Sequence, residues 1–248
     1  MSLLSVTRRG DGRPFVWLHG FTQTRDAAHR FRSILAESSE LWTLDLPGHG
    51  TAHDVDASLD EVADMVAAVM PDDAANLGGY SLGARVALHV ALRHPERVAR
   101  LALLGASRGV ADESERAARR HRDEALAERV LAIGTDAFLD EWLAGPLFAS
   151  LPADDEERAA RSRDAAGLAS SLRHAGTGTQ SWLGPRLATL RAPTLALAGA
   201  LDAKFATEAT AIARSVVAGR RALVVEAGHA AHLERPEATA ILVAGFLA

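Results

Sequence analysis

Short apolar runs alternate with longer amphipathic stretches along much of the chain. Runs such as PFVWL, LWTL, ANLGG, VARLALL, TLALAG and RALVV are too short for helices and are typical of buried strands. Between them, ARVALHVALRHP has apolar residues at helical spacing and stops at Pro95. Further helices are predicted over 207–217 and from Pro236 onward. This alternation predicts an α/β class, with a mostly parallel central sheet flanked by helices.

The pattern changes in the middle of the chain. Over residues 107–183 the strand-like runs disappear and charged helical patterns replace them. There Asp112 is a candidate N-cap, and Glu115 three positions later forms a variant of the capping box. We therefore predict a core formed by residues 1–106 and 184–248, with residues 107–183 inserted as a helical cap.

The composition narrows the possible partners and compartments. The 248 residues are 48% hydrophobic and carry a formal net charge of −5, so no overall positive field attracts nucleic acid or anionic lipid. The chain has no cysteine, which excludes disulfides and thiolate metal sites. The N-terminal sequence lacks the apolar stretch of a signal peptide, and no run is long enough to span a membrane. We expect a cytoplasmic protein.

A serine stands in a tight glycine corner in the sequence GYSLG, between a predicted strand and a predicted helix. This is the context in which the G-x-S-x-G motif is meaningful, because Gly79 and Gly83 allow a sharp turn that exposes the Ser81 hydroxyl. The turn also places the Leu82 N–H at the start of a helix, where it can face a developing oxyanion. A plain glycine-rich turn is the alternative interpretation.

A serine becomes reactive when a histidine takes its proton and an acid orients that histidine. His229 follows the apolar strand RALVV and is the candidate base, while His232 is a competitor nearer the next turn. Asp202 follows the strand TLALAG, whereas the corresponding position after the preceding strand, residues 107–108, offers no carboxylate. Asp202 is therefore the candidate acid, with a simple helix cap as its alternative role.

A second oxyanion donor is expected from the loop after the first strand. The sequence HGF places the Phe21 N–H there, with His19 and Gly20 shaping the loop, although the loop could also serve only as packing. Together these features predict an α/β-hydrolase fold. That fold hosts esterases, lyases, peroxidases and ligand receptors, so the cap must indicate the reaction.

The predicted cap is rich in arginine. Any single one of these residues is most simply explained by a solvated helix face, and pairs such as Glu115 with Arg119, or Arg119 with Asp123, have the i,i+4 spacing of surface ion pairs. The arginines are Arg108, Arg116, Arg119, Arg120, Arg122, Arg129, Arg158, Arg161 and Arg163.

Several motifs in fixed order carry a family resemblance. They are WLHGF, DLPGHG, GYSLGARVAL, SERAARRHRDEALAERV, a tryptophan separated by three residues from PLFASL, LDAKF and AGHAAHLERP. From Phe15 to Pro236 the sequence resembles the 2-succinyl-6-hydroxy-2,4-cyclohexadiene-1-carboxylate synthases (the MenH family) of menaquinone biosynthesis. The common hydrolase motifs are weakly specific, whereas the arginine after the serine corner, the arginine-rich cap helix, the cap tryptophan and D-x-K-F are more specific.

The resemblance assigns roles where residues match. Ser81, Asp202 and His229 fall on the family triad. The family's substrate-binding positions fall on Tyr80, Arg85, Arg119, Trp142, Arg163 and Lys204. Arg161, two positions before Arg163, is the alternative for that arginine. The sequence departs from the family at Ala84, where glycine is usual, and residues 170–183 carry little that can be aligned.

The resemblance implies a lyase that eliminates pyruvate from 2-succinyl-5-enolpyruvyl-6-hydroxy-3-cyclohexene-1-carboxylate. Ser81 would act as the base through His229, and arginines such as Arg85, one helical turn after Ser81, would bind the carboxylates of this polycarboxylate. No metal or organic cofactor is implied, and no nucleic acid, membrane or protein partner is inferred. The alternatives are a carboxylesterase or thioesterase acting on a small anionic acyl substrate, and a non-catalytic ligand receptor, which the intact triad disfavours.

Overall fold

A seven-stranded sheet runs through the structure, a computed structural model that describes residues 4–248. Its strands are β1 (Val6–Arg9), β2 (Pro14–Leu18), β3 (Glu40–Leu44), β4 (Ala75–Tyr80), β5 (Val98–Leu104), β6 (Thr194–Gly199) and β7 (Gly219–Val224). Their spatial order is β1-β3-β2-β4-β5-β6-β7. Only the pairing of β1 with β3 is antiparallel within the described sheet, so the mostly parallel arrangement predicted from the apolar runs is confirmed.

Helices flank this sheet. They are α1 (His29–Leu35), α2 (Leu59–Val69), α3 (Leu82–Arg93), α4 (Glu113–Leu143), α5 (Asp155–Ala159), α6 (Ala165–Ala175), α7 (Ala203–Ser215), α8 (Ala231–Glu234) and α9 (Pro236–Leu247). The predicted end of α3 before Pro95 and the predicted start of α9 at Pro236 are confirmed. Helix α7 begins at Ala203, earlier than residue 207, because Asp202 caps it. Within the described part of the chain, no helix is both long and apolar enough to cross a membrane.

The two faces of the sheet form separate hydrophobic cores, as β2 illustrates. Val16 and Leu18 point into a core shared with α2, α3 and α7, whereas Phe15 and Trp17 point into one shared with α1 and α9. Because both faces of this central strand are covered, its sequence is an uninterrupted apolar run rather than an alternating one.

Strand β1 was not predicted, because it lacks an apolar run. Its sequence VTRR is mostly exposed at the edge of the sheet, and the guanidinium of Arg8 lies over the ring of Trp42 at 3.8 Å. An edge strand pairs on one side only, so backbone hydrogen bonds to β3 can hold polar residues that the core would exclude.

Helices α4, α5 and α6 lie between β5 and β6 in the chain, within the predicted cap. Helix α4 begins as expected, with the Asp112 carboxylate accepting the Glu115 N–H at 2.9 Å. It is interrupted at Gly134, whose backbone (φ 76°, ψ 168°) is not helical. Helices α4 and α6 share a small hydrophobic core formed by Ala127, Val130, Phe138, Leu168, Ala169 and Leu172. The division of the chain at residues 107 and 183 stays a prediction.

Candidate active site

Ser81 lies at a sharp turn between β4 and α3. Its backbone has φ 51° and ψ −104°, a conformation that a residue with a side chain rarely adopts. The flanking glycines make the turn possible, because a Cβ on Gly79 would collide with the backbone of Gly83, and one on Gly83 would collide with the Leu18 carbonyl. Because α3 packs this closely on β2, the serine is held at the carboxyl edge of the sheet.

Replacing Gly83 with alanine should therefore destabilise the fold. Overpacking of this kind costs about 1–3 kcal/mol, and we expect a matching loss in the free energy of unfolding measured with urea. Gly245 provides the control, because a Cβ added there, in α9, meets no described atom within 4 Å. Gly245→Ala should be neutral or stabilise by about 0.5–1 kcal/mol. Equal losses in the two variants would contradict the tight packing inferred for Gly83.

The structure brings together the three residues of the expected triad. His229 Nδ1 lies 2.8 Å from Asp202 Oδ2, and His229 Nε2 lies 3.1 Å from Ser81 Oγ. With the proton on Nδ1, the ring donates to the carboxylate and can accept the serine proton at Nε2. The other carboxylate oxygen of Asp202 accepts the Phe205 N–H at 3.2 Å, so this aspartate also caps α7.

Aromatic residues and one glycine enclose His229. The centroid of its ring lies 4.4 Å from that of Phe205 and 5.2 Å from that of Tyr80. A Cβ on Gly105, which has φ +63°, would lie 3.0 Å from the imidazole. Only 2% of the His229 side chain is exposed. The orientation of the base is therefore fixed by packing as well as by its hydrogen bonds.

The side chain of His232, the alternative base, contacts Gln23 rather than Ser81. It is buried beneath Tyr80, with the ring centroids 4.2 Å apart, and its Nε2 lies 3.3 Å from the side-chain nitrogen of Gln23. Burial, followed by the nearby charges of Arg161 and His229, lowers the pKa of His232 to about 3, so the ring is neutral. The structure thus places His229, and not His232, beside the serine.

The two expected oxyanion donors, Phe21 and Leu82, line one cavity with Ser81. Leu82 is the first residue of α3, where a backbone N–H has no partner within the helix. At Phe21, the preceding carbonyl of Gly20 is held by His19 Nδ1 at 2.9 Å. The carbonyl and N–H of a trans peptide point in opposite directions, so this bond fixes the direction of the Phe21 N–H.

Sequence reasoning missed other residues that hold this loop. The side-chain oxygen of Gln23 accepts the Gly20 N–H at 2.9 Å, and His49 Nε2 accepts the Thr22 N–H at 3.3 Å. Burial and the neighbouring His19 lower the pKa of His49 to about 3, which keeps its ring neutral and able to accept. The DLPGHG motif contains His49, and its polar residues could have indicated from the sequence that this segment holds the Phe21 loop.

The cavity beside Ser81 has a volume of about 130 Å³ and contains several of the predicted binding residues. Arg85, Arg119, Trp142 and Lys204 line it together with the triad serine and histidine. Only 8% of Arg85 is exposed, and its guanidinium donates to the Ala175 carbonyl at 2.9 Å. Burial, with added repulsion from Arg119, lowers the pKa of Arg85 to about 10, so the side chain remains charged at neutral pH.

Other predicted binding residues are partly or wholly used in packing. Trp142 contacts Phe21, with ring centroids 5.3 Å apart. Lys204 Nζ lies 5.2 Å from the centre of the Phe205 ring. Tyr80 is 96% buried beneath the site, and burial raises the pKa of its hydroxyl. Tyr80 therefore packs against His229 and does not line the cavity beside Ser81. Trp142 and Lys204 do line that cavity.

The structure does not place Arg163, one of the predicted binding residues, in the cavity beside Ser81. Its side chain is about half exposed and pairs with Asp136 on α4, outside the cavity that holds Ser81. Arg161 is buried instead, donates to the Thr22 hydroxyl at 2.5 Å and lines a second cavity of about 280 Å³ with Leu143. The segment that contains Arg161 is hydrogen-bonded to the loop that contains Phe21, because the Ser162 N–H donates to the Thr22 carbonyl at 2.7 Å. This backbone hydrogen bond places the Arg161 side chain toward the interior.

The strand–serine–helix turn, the acid after β6 and the histidine after β7 define an α/β-hydrolase. In agreement, the sequence model of the alpha/beta hydrolase family matches residues 15–241. Within that class, the chain belongs to the family of 2-succinyl-6-hydroxy-2,4-cyclohexadiene-1-carboxylate synthases. It is 33% identical to the enzyme of that name from Serratia proteamaculans (100% of this chain, 98% of the relative) and 34% identical to that from Klebsiella pneumoniae strain 342, with both chains fully covered.

Solved structures agree with this membership. MenH from S. aureus has a TM-score of 0.90 and 30% sequence identity, with 100% of this chain and 98% of that chain covered. A thermophilic esterase from Thermogutta terrifontis has a TM-score of 0.83 at 24% identity, covering 98% of this chain and 92% of that one. At this lower identity, the second comparison shows the fold alone.

Proposed function

We propose that this protein is a lyase of menaquinone biosynthesis. It eliminates pyruvate from 2-succinyl-5-enolpyruvyl-6-hydroxy-3-cyclohexene-1-carboxylate to give 2-succinyl-6-hydroxy-2,4-cyclohexadiene-1-carboxylate, the compound in the names of its relatives. The observation that carries the proposal is the position of Arg85 and Arg119 in the same small cavity as Ser81 and His229. Two guanidinium groups beside a serine base suit a substrate that carries carboxylates.

The reaction begins with removal of a proton from a ring carbon. The carbon that bears the succinyl group is acidic, because its carbanion delocalises into the adjacent ketone as an enolate. Ser81 takes this proton, while His229 Nε2, 3.1 Å from Ser81 Oγ, takes the proton of the serine hydroxyl. Asp202 stabilises the imidazolium through its bond to Nδ1.

The electron pair then leaves through the ring. It forms a double bond at the deprotonated carbon, the original ring alkene shifts by one position, and the bond from the ring to the enolpyruvyl oxygen breaks. The imidazolium proton returns to the departing enolate, which tautomerises to pyruvate. The elimination is redox-neutral and needs no external electron acceptor. The Phe21 and Leu82 N–H groups would stabilise the enolate oxygen.

Arg161 takes the place of Arg163 in this proposal. Its Nε is buried and has no hydrogen-bond partner among the described residues, and its guanidinium reaches the loop that carries Phe21. Arg161 lines the second cavity, where its positive charge would attract a carboxylate of the substrate. Lys204 provides a further cation in the cavity with Ser81. The cytoplasmic location expected from the sequence stays a prediction.

Pyruvate release tests the proposal directly. The purified protein should convert the cyclohexene intermediate to pyruvate, measured with lactate dehydrogenase, together with an equal amount of conjugated diene measured by ultraviolet absorbance. Hydrolysis of small anionic esters without pyruvate release would favour the carboxylesterase or thioesterase alternative. Binding without turnover of either substrate would favour a ligand receptor.

A further inference from the structure

Asp123 on α4 is a buried carboxylate that the mechanism leaves without a role. Only 3% of its side chain is exposed. One oxygen accepts from Arg119 Nε at 2.7 Å, and the other accepts the Gly178 N–H at 2.9 Å. An i,i+4 pair of this type usually lies on the surface of a helix, whereas here its acidic member is enclosed. Burying a carboxylate is costly unless it is paired, so this position calls for an explanation.

The first contact of Asp123 directs Arg119. Because Asp123 occupies Nε, the two terminal nitrogens of Arg119 remain available, and they donate to no acceptor among residues 4–248. Arg119 also lines the cavity that contains Ser81. A guanidinium held at Nε presents its terminal N–H groups as a fork, the geometry that receives a carboxylate through two hydrogen bonds.

The second contact holds the chain segment that positions Arg85. The Arg85 guanidinium donates to the Ala175 carbonyl at 2.9 Å and to the side-chain oxygen of Gln180 at 3.4 Å. These two acceptors lie before and after Gly178 in the chain. The approach of Asp123 is close, since a Cβ on Gly176 would lie 2.6 Å from the Asp123 carboxylate. One aspartate therefore connects the helix that carries Arg119 with the turn that holds Arg85.

The charges in this cluster are unequal. Arg85, Arg119 and Asp123 together carry one net positive charge. Among the described residues, no carboxylate lies within ion-pair distance of Arg85. The outer charges of the cap pair with each other instead, as Glu124 does with Arg173 at 2.6 Å. The cavity end formed by Arg85 and Arg119 thus matches one anionic group better than two.

We propose that Asp123 is a positioning residue that directs Arg119 into the cavity and limits this end to one net positive charge, so that it receives a single carboxylate. This inference rests on the proposed function, because it concerns the same site and its polycarboxylate substrate. It assigns a specificity role to a residue that does not itself touch the substrate. The remaining carboxylates of the substrate then require other cations, for which Lys204 and Arg161 are available.

The test compares binding of acetate with binding of malonate, which carries two carboxylates on one carbon. Dissociation constants are measured by ligand-observed NMR at constant ionic strength, so no turnover is needed. Asp123→Asn removes the negative charge and one of the two acceptor oxygens, while the remaining oxygen can still accept the Gly178 N–H. The preference for malonate over acetate should rise about tenfold, because a dianion gains more than a monoanion from loss of a nearby negative charge.

Glu124→Gln is the matched control, because it removes the same charge from the next residue of α4 but at an exposed pair with Arg173. Its anion preference should change less than twofold, since solvent and salt screen that position. An unchanged preference in Asp123→Asn, or an equal rise in Glu124→Gln, would overturn the inference.

Arg119→Gln supplies a reciprocal measurement if Asp123→Asn fails to fold. It leaves no net charge at this end, so the preference for malonate should fall; an unchanged preference would also refute the assignment. The outcome is separable from that of the proposed function. Anion selectivity can change as expected in a protein that releases no pyruvate, and pyruvate release can occur without such selectivity.

Discussion

Ser81→Ala should lower kcat for pyruvate elimination by about 10²–10⁴-fold, the contribution expected from a positioned base. The hydroxyl is the group within hydrogen-bond reach of His229 Nε2, so its removal takes away the proton acceptor without enlarging the core. His229→Ala should have an effect of similar size. Initial rates of pyruvate release under saturating substrate provide the measurement, with circular dichroism to establish that each variant is folded.

Asp202→Asn separates catalysis from folding. One oxygen of Asp202 caps α7 and the other accepts from His229 Nδ1, so an asparagine can retain the cap but presents a donor or a weaker acceptor to the histidine. We expect a large loss of kcat with little change in melting temperature. Ser170→Ala, at a partly exposed serine on α6, is the control and should retain full activity. Near-normal turnover in folded Ser81→Ala would refute the proposed base.

Alanine in place of Arg85, Arg119 or Arg161 should reduce kcat/KM for the polycarboxylate by about 10- to 100-fold each. A hydrogen bond between charged groups contributes roughly 1.5–3 kcal/mol, and each substitution leaves a substrate anion without its partner. Lysine at the same positions should restore only part of the loss, because an ammonium cannot reproduce the guanidinium fork. Steady-state kinetics on the cyclohexene intermediate measure the effect.

Arg163→Ala is the control for this series, because Arg163 is half exposed and pairs with Asp136 on the outer surface. It should change kcat/KM by less than about twofold, as expected for an exposed ion pair. Hydrolysis of p-nitrophenyl acetate, which has no carboxylate, should be little affected by any of the variants. Equal losses on both substrates would indicate structural damage, and no loss on the polycarboxylate would show that these arginines do not bind its carboxylates.

The sequence alone determined the features whose physical cause is local. Apolar runs bounded by glycine marked the buried strands, because a strand covered on both faces cannot alternate polar and apolar residues. The glycines around Ser81 marked the sharp turn, because only they avoid collision there. The order of serine, aspartate and histidine, each after a predicted strand, placed Ser81, Asp202 and His229 at one edge of the sheet before any distance was known.

Only the tertiary structure decided features that depend on which face of a segment meets a distant part of the chain. Arg161 and Arg163 stand two positions apart outside the regular helices, where no periodicity distinguishes an inward from an outward side chain; the contact with Thr22 buries the first and leaves the second exposed. The spacing of Arg119 and Asp123 likewise indicated a pair but not its burial, which comes from the turn at Gly178. Burial of a charged side chain is set by long-range packing, and that information is absent from its immediate sequence.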